Sequence, residues 1–189
     1  MFIELTDHLR CTADHPESYL VLLPGTMEGR EVVTGELGCP VCGRVVRIEN
    51  GVAEFGGGAP SDGSTSLSAD AVAALLGISG PGGYIALAGG VTSLAKPLAE
   101  QLPEVGLVLI NPAVEAAAAG VLRTGRFPLK GSSMRGVVVG ADHAREPWLR
   151  DAAAAVLPGL RLVAEGGEPP DDVIELMAQS SACWVGRKR

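Results

Sequence analysis

The stretch Cys39-Pro40-Val41-Cys42-Gly43 decides how the first third of the chain folds. Two thiolates that are separated by two residues can bind one ion from a single tight turn. The glycine that follows lets the backbone turn so that its amides point toward sulfur. Cys11, further upstream, offers a third thiolate. The spacing therefore predicts a metal site with at least three sulfur ligands.

The fourth ligand of this site is open between three residues. His15 forms a C-x-x-x-H pair with Cys11 and carries the imidazole that is common in zinc sites. Asp14 stands where a C-x-x-C pair would have its second cysteine, but carboxylates are rarer in closed structural sites, and His8 is the third candidate. We favour His15, so the ligands expected for one structural Zn²⁺ are Cys11, His15, Cys39 and Cys42.

A zinc ion would also explain how so short a segment folds. Residues 1–55 show short strand patterns at 19–23, 31–37, 45–49 and 52–55, with the turn-forming pair Asn50-Gly51 between the last two. A segment of this size has too little hydrophobic core to fold well alone, and metal binding supplies the missing stability. Four protein ligands would leave no position for a reacting water, so the zinc is expected to be structural.

The composition changes at residue 56. Residues 56–66 read Gly-Gly-Gly-Ala-Pro-Ser-Asp-Gly-Ser-Thr-Ser and have no apolar periodicity, which predicts a flexible linker. Beyond it, short apolar runs alternate with alanine-rich helical patterns, which is typical of βαβ units and a parallel sheet. The sequence thus predicts a zinc-ribbon domain at 1–55, a linker at 56–66 and a Rossmann-like domain at 67–189.

The predicted elements of the last part follow its apolar runs and its helix-capping residues. Strands are expected at 84–88, 106–110, 136–139, 160–164 and 182–186, and helices at 69–76, 92–101, 113–119, 147–157 and 171–179. The predicted fold class is therefore α/β, with a small β-rich zinc ribbon followed by a doubly wound, mostly parallel Rossmann-like sheet.

The first segment resembles the small zinc-ribbon proteins that bind and activate methyltransferases modifying tRNA, rRNA and translation release factors. The matching stretches are 9–11 (LRC), 35–44 (GELGCPVCGR) and 46–55 (VRIENGVAEF). The family usually has Cys-Pro-x-Cys at its first knuckle, whereas this chain has Asp14 in place of the second cysteine. The resemblance implies that the ribbon's target is a protein surface.

The order of elements after residue 66 resembles class I S-adenosylmethionine-dependent methyltransferases. The run 157–163 (LPGLRLV) looks like that family's proline-glycine turn into its fifth strand. The resemblance implies that S-adenosylmethionine would bind beyond the carboxyl ends of the strands, where this chain has Gly89, Gly90, Asn111 and Asp142. However, the acid that usually precedes the glycine-rich turn is absent, and Asn111 replaces the carboxylate that binds the ribose hydroxyls.

Asp142 and His143 form the best polar pair at a predicted strand end. They could act as a base and the group that orients it. The alternative, which we favour, is that Asp142 caps the helix starting near Arg145 and His143 is a solvated loop residue. No catalytic residue is therefore assigned.

Charge and composition limit the classes of partner. The net charge is -7 and aromatic residues make up 4% of the chain, which disfavours direct binding to nucleic acid or to anionic lipid. No apolar run approaches the roughly 20 residues that span a bilayer, and the first ten residues lack a signal-peptide pattern. The expected location is the cytoplasm, where clustered cysteines more often bind metal than form disulfides.

Two functions are compatible with these features. In the first, the chain is a zinc-binding, non-catalytic methyltransferase-like protein that acts as a scaffold or activating partner of another protein. In the alternative, it is an active S-adenosylmethionine-dependent methyltransferase with an atypical pocket formed by Gly89, Gly90 and Asn111, and its ribbon acts in cis.

Overall fold

The computed structural model describes residues 1–114 and 119–189. The helix expected at 113–119 has its central residues, 115–118, outside the described residues. Within the described part of the chain, no helix is both long enough and apolar enough to cross a membrane.

The N-terminal part is built mainly of short antiparallel strands. After a 3-10 helix at Ile3–His8 come β1 (Val21–Pro24), β2 (Met27–Glu28), β3 (Glu31–Val32), β4 (Gly35–Gly38), β5 (Val45–Glu49) and β6 (Val52–Gly56). Strand β5 shows why a sheet forms, because its buried Val46 and Ile48 alternate with three exposed residues. Strands β1, β4, β5 and β6 pair in that order, and β2 pairs with β3.

The second part alternates strands and helices. Its elements are α1 (Ala69–Leu76), β7 (Tyr84–Ala88), a 3-10 helix (Gly89–Leu94), α2 (Ala95–Gln101), β8 (Gly106–Ile110), β9 (Gly120–Thr124), β10 (Met134–Val139), α3 (Trp148–Ala155), β11 (Val156–Ala164), β12 (Ile174–Gln179) and β13 (Trp184–Lys188). Helix α1 begins where the sequence predicts, because the Ser68 side chain accepts a hydrogen bond from the Ala71 amide.

Five parallel strands form the centre of the sheet, in the order β9-β8-β7-β10-β11. This is the Rossmann-like order, in which the chain first builds outward from β7 on one side and then returns to its other side. Helices α1 and α2 cover one face, and α3 packs on the other together with the N-terminal part. The α/β, doubly wound fold class is therefore confirmed.

The sheet continues from the N-terminal part into the second part. Strand β6 pairs in parallel with β9, with Val52 opposite Val121 and Ala53 opposite Leu122, so eleven of the described strands belong to one sheet. The two predicted domains thus share a hydrogen-bonded strand pair, and their boundaries at residues 55 and 66 stay a prediction.

The helix predicted at 171–179 is wrong, because β12 occupies this stretch and pairs antiparallel with β13. The residues Glu175-Leu176-Met177-Ala178 favour a helix locally, but the tertiary pairing overrides this preference. The sheet therefore ends in an antiparallel pair, where the sequence predicts one helix and one strand.

Two other differences concern the parallel strands. Strand β9 is absent from the sequence prediction, because it is short and Arg123 interrupts its apolar pattern. The helix predicted at 147–157 ends at Ala155, and Pro158 lies inside β11 instead. The pairing of β11 with β10 skips from Val156 to Arg161, so Pro158 needs no hydrogen bond in the ladder.

Candidate functional site

Three cysteines and one histidine come together at the tip of the N-terminal part. The ligand atoms of Cys11, His15, Cys39 and Cys42 all lie within 4.8 Å of one another. The Sγ atoms of Cys11 and Cys42 are 3.8 Å apart, and Cys39 Sγ is 3.4 Å from His15 Nε2. Tetrahedral zinc would impose separations of about 3.8 Å between sulfurs and about 3.6 Å between sulfur and nitrogen. The group could therefore hold a tetrahedral metal ion.

Backbone hydrogen bonds fix the turn that carries two of these ligands. The Cys39 amide donates to the Arg44 carbonyl (2.8 Å), and the Gly43 amide donates to the Cys39 carbonyl (2.9 Å). Gly43 has a φ of 71°, a left-handed conformation that most side chains disfavour. Cys11 is held separately by its amide, which donates to the Ser18 carbonyl at 2.8 Å. The two halves of the site therefore come from distant turns.

The low pKa of Cys39 favours metal binding, whereas the hydrogen bond to the Pro16 carbonyl raises the pKa of His15 and so opposes it. Burial raises the pKa of Cys39, but backbone amides of Cys42 and Val41 outweigh it and lower this pKa to about 6. Burial raises the pKa of Cys11 to about 11, so this thiol must lose its proton when it binds a metal. His15 Nδ1 lies 2.7 Å from the Pro16 carbonyl oxygen. Donation to this oxygen leaves Nε2 free as an acceptor that faces the sulfurs.

The two other candidates for the fourth ligand lie outside this group. The ring of His8 packs edge-on against Tyr84, with 5.3 Å between the ring centroids. Asp14 is next to His15 in the chain, but the four atoms that converge include none of its own. Of the three candidates, the structure brings His15 to the cysteines.

Both hydrogen-bonding atoms of the Asn111 side chain, at the carboxyl end of β8, already have partners within the chain. Its side-chain oxygen accepts the Thr124 amide (2.9 Å), and its side-chain nitrogen donates to the Thr124 carbonyl (2.8 Å). The same nitrogen lies 3.0 Å from His143 Nε2. The residue is only 2% exposed. The side-chain amide of Asn111 therefore adds two hydrogen bonds between the ends of β8 and β9.

The side chain of Asp142 is likewise hydrogen-bonded within the chain. Its carboxylate accepts the Gly90 amide (3.1 Å) and the Ser61 hydroxyl (2.6 Å). His143 Nδ1 lies 3.0 Å from the same carboxylate, but it has no well-aligned hydrogen-bond partner among the described residues. Burial raises the pKa of Asp142, but the bonds from Ser61 and Gly90 and the nearby His143 outweigh this effect and hold it below its ordinary value. The carboxylate is thus stabilised in its charged form.

Asp142 and His143 do not take the roles favoured from the sequence. Helix α3 begins at Trp148 after Pro147 and has no side-chain cap, so Asp142 does not cap it. The His143 side chain is 12% exposed and packs edge-on against Trp148, so it is not a solvated loop residue. The structure does bring Gly89, Gly90, Asn111 and Asp142 together at the carboxyl ends of β7, β8 and β10.

Residues 57–66, which we call the strap, lie across these strand ends. The Ser61 amide donates to the Asn111 carbonyl (2.9 Å), and the Ser61 side chain is buried. The Ser66 amide and hydroxyl both donate to Glu165 (2.7 Å each). Gly90 lies so close to the Ser64 carbonyl that a side-chain carbon there would come within 2.5 Å of its oxygen. The sequence gives no sign of these contacts, because serines in a glycine-rich run resemble an ordinary linker.

The strap leaves little room for a ligand. The cavity beside Gly63, Gly90 and Lys96 has a volume of about 150 Å³, whereas cavities that bind small molecules usually have about 300–1,000 Å³. A larger depression of about 670 Å³ borders Gly106 and Gly120, which begin β8 and β9 at the opposite edge of the sheet. Within residues 1–114 and 119–189, the strap therefore occupies much of the crevice that a Rossmann-like fold uses for ligands.

A substitution at Gly58 tests whether the strap packs tightly against the ends of β8 and β9. A side-chain carbon at this position would lie 2.6 Å from Asn111 Oδ1 and collide with the Thr124 amide. Gly58→Ala is therefore expected to lower the free energy of unfolding by about 1–3 kcal/mol in urea titration. Gly131→Ala is the matched control, because its nearest neighbour would be 3.7 Å away. Equal stability of the two variants would contradict the packing of the strap.

Comparisons with known proteins find similarity among solved structures. No protein-family model matches the chain, and no curated protein matches its sequence. Among solved structures, two crystal structures of the antibiotic-resistance methyltransferase Kmr are similar, each at a TM-score of 0.42 and 11% identity. They cover 69% and 70% of this chain and 97% and 99% of Kmr. Similarity at this level carries no argument about activity.

Proposed function

We propose that this chain is a zinc-binding, non-catalytic methyltransferase-like protein that acts as a scaffold or activating partner of another protein. The observation that carries the proposal is the strap, which occupies the crevice in which a Rossmann-like enzyme would bind its cofactor. An enzyme needs this crevice open to its cofactor and its substrate, whereas a scaffold does not.

The metal in this proposal is one structural Zn²⁺. Three thiolates and one imidazole complete a tetrahedron, which is a common zinc ligand set and leaves no open position for a reacting water. All four cysteines of the chain are free thiols, which suits a reducing compartment such as the cytoplasm. The zinc would join the turn before β5 to the segment after the first 3-10 helix, and so hold the N-terminal part together.

Asn111 and Asp142 also argue against S-adenosylmethionine binding. The position where the resembled methyltransferases have a ribose-binding carboxylate holds Asn111, and both ends of its amide are bonded to Thr124. Asp142 is already bonded to Gly90 and Ser61. A cofactor would have to break these bonds before it could make its own, so its affinity would be reduced by their free energy.

We expect the partner protein to bind at the β1 edge of the sheet and not at β6. Strand β6 has β5 on one side and β9 on the other, so it has no free edge for another protein. Strand β1 ends the described sheet, and Tyr19, Val21 and Leu23 on or beside it are all exposed. Exposed apolar residues beside an open strand edge are typical of protein-binding surfaces. The acidic net charge of -7 argues against nucleic acid as a direct partner.

Calorimetric titration of the zinc-loaded protein with S-adenosylmethionine tests the proposal. We expect no measurable heat of binding, because the strap and the bonded Asn111 leave no site. Binding at micromolar concentration would contradict the proposal and favour the alternative, an active methyltransferase with an atypical pocket. Gly89→Val, which would place a side chain in the expected cofactor site, is not a suitable variant for this titration. Gly89 has a φ of 76°, and a side chain there would collide with Asp142, so the substitution would disturb the crevice itself.

A further inference from the structure

The strap is attached to the sheet by two polar clamps. At the first clamp, the Ser61 hydroxyl donates to Asp142 at 2.6 Å, and the Gly63 amide donates to the Ser61 hydroxyl at 3.1 Å. At the second clamp, the Ser66 amide and hydroxyl donate to one oxygen of Glu165, each at 2.7 Å. Hydrogen bonds to a carboxylate are stronger than neutral ones, so these two points dominate the attachment.

Hydrophobic packing contributes little to holding the strap. Its two apolar side chains, Ala59 and Pro60, are both exposed, and its other residues are glycine, serine, threonine and aspartate. Segments with few buried apolar contacts open locally at a lower free energy than the rest of a fold. The strap can therefore leave the sheet edge without unpacking either face of the hydrophobic core.

The edge beneath the strap is lined with hydrogen-bond acceptors. The strap supplies the donor in its bonds to the Asn111 carbonyl, to Asp142 and to Glu165. Glu165 is 7% exposed, and its second oxygen has no hydrogen-bond partner among the described residues. A buried acceptor without a partner is unusual in a folded protein. This edge therefore has more acceptor capacity than the closed strap uses.

From these contacts we infer that the strap is a latch. When closed, its serines occupy acceptors that would otherwise bind a small ligand rich in hydroxyl or ammonium donors. When the two clamps break, residues 57–66 swing away from the edge and uncover Asp142, Glu165 and the Asn111 carbonyl. A scaffold role needs only one state of the crevice, whereas the latch gives it a closed and an open state.

Hydrogen exchange of residues 57–66, followed by mass spectrometry, tests the latch. Ser66 is exposed, so Ser66→Asp leaves the core intact while it brings a carboxylate against Glu165. We expect exchange of the strap amides to become about tenfold faster or more in this variant, with no change in β7 or β10. Ser64→Asp is the matched control, because it adds the same charge at another exposed position of the strap, one that makes no hydrogen bond to a carboxylate of the described residues. Its exchange is expected to stay at the wild-type rate.

A second variant, Ser61→Ala with Ser66→Ala, removes both clamp hydroxyls without adding charge, and the same acceleration is expected. Strap amides that exchange at the wild-type rate in both variants would overturn the latch, and so would strap amides that already exchange freely in the wild type. Titration of the Ser66→Asp variant with S-adenosylmethionine separates this result from the proposed function. Binding of S-adenosylmethionine by the opened variant would contradict the non-catalytic role but not the latch. An unchanged exchange rate of the strap amides would contradict the latch but not the non-catalytic role.

Discussion

Replacing Cys42 by serine is expected to lower the melting temperature by roughly 8–16 °C. Cys42 Sγ is one of the four converging ligand atoms, and it lies 3.8 Å from Cys11 Sγ. A metal present at about a thousand times its dissociation constant stabilises a fold by about 4 kcal/mol, and this contribution is lost when one ligand is removed. Differential scanning calorimetry measures the shift, and elemental analysis should show the loss of one zinc per chain.

Cys183→Ser is the control for this prediction. Cys183 is a half-buried free thiol that precedes β13 and does not belong to the converging group. Its replacement is expected to change neither the zinc content nor the melting temperature by a comparable amount. Equal losses in the two serine variants, or wild-type protein that contains no zinc, would overturn the zinc assignment.

Asn111→Asp is expected to lower the free energy of unfolding by roughly 2–4 kcal/mol. The substitution restores the kind of residue that the resembled methyltransferases have at this position. However, Asn111 donates to the Thr124 carbonyl, and a carboxylate has no hydrogen to donate there. It would also bury a negative charge at a position that is 2% exposed. Urea unfolding followed by circular dichroism measures the loss.

Asn50→Asp is the matched control, because it isolates burial from backbone conformation. Asn50 and Asn111 both have positive φ values, of 50° and 55°, but Asn50 is exposed in the turn between β5 and β6. The same substitution is therefore expected to cost little at Asn50. If the two variants are equally stable, the paired amide of Asn111 is not what the fold requires at this position.

The metal group could be predicted because its pattern is local. The spacing of Cys39 and Cys42 limits that turn to a few conformations, and C-x-x-x-H spacing placed His15 beside Cys11. The central strands were also predictable, because a buried parallel strand needs an apolar run such as that of residues 107–110. Each half of the metal group and each central strand depends on the residues within one short window.

The strap and the last strand pair depend on contacts between distant residues. Ser66 and Glu165 are 99 positions apart, so no local pattern connects them. Strand β12 consists mainly of residues that favour a helix, and only its pairing with β13 makes it a strand. The role of Asn111 was missed for a similar reason. From the sequence its amide resembles a weakened cofactor ligand, whereas in the structure both ends of the amide are bonded to Thr124.

Because β6 pairs with β9, each part of the molecule depends on the other to remain soluble. Division of the chain at the glycine-rich run would give one fragment in which β6 has one open edge and another in which β9 has one open edge. Val121 and Leu122 of β9 are buried beside Val52 and Ala53 of β6, so each fragment would present an apolar strand edge to water. Such edges recruit other chains and cause aggregation. Natural truncation at this point would therefore be selected against, even though the run has the composition of a spacer.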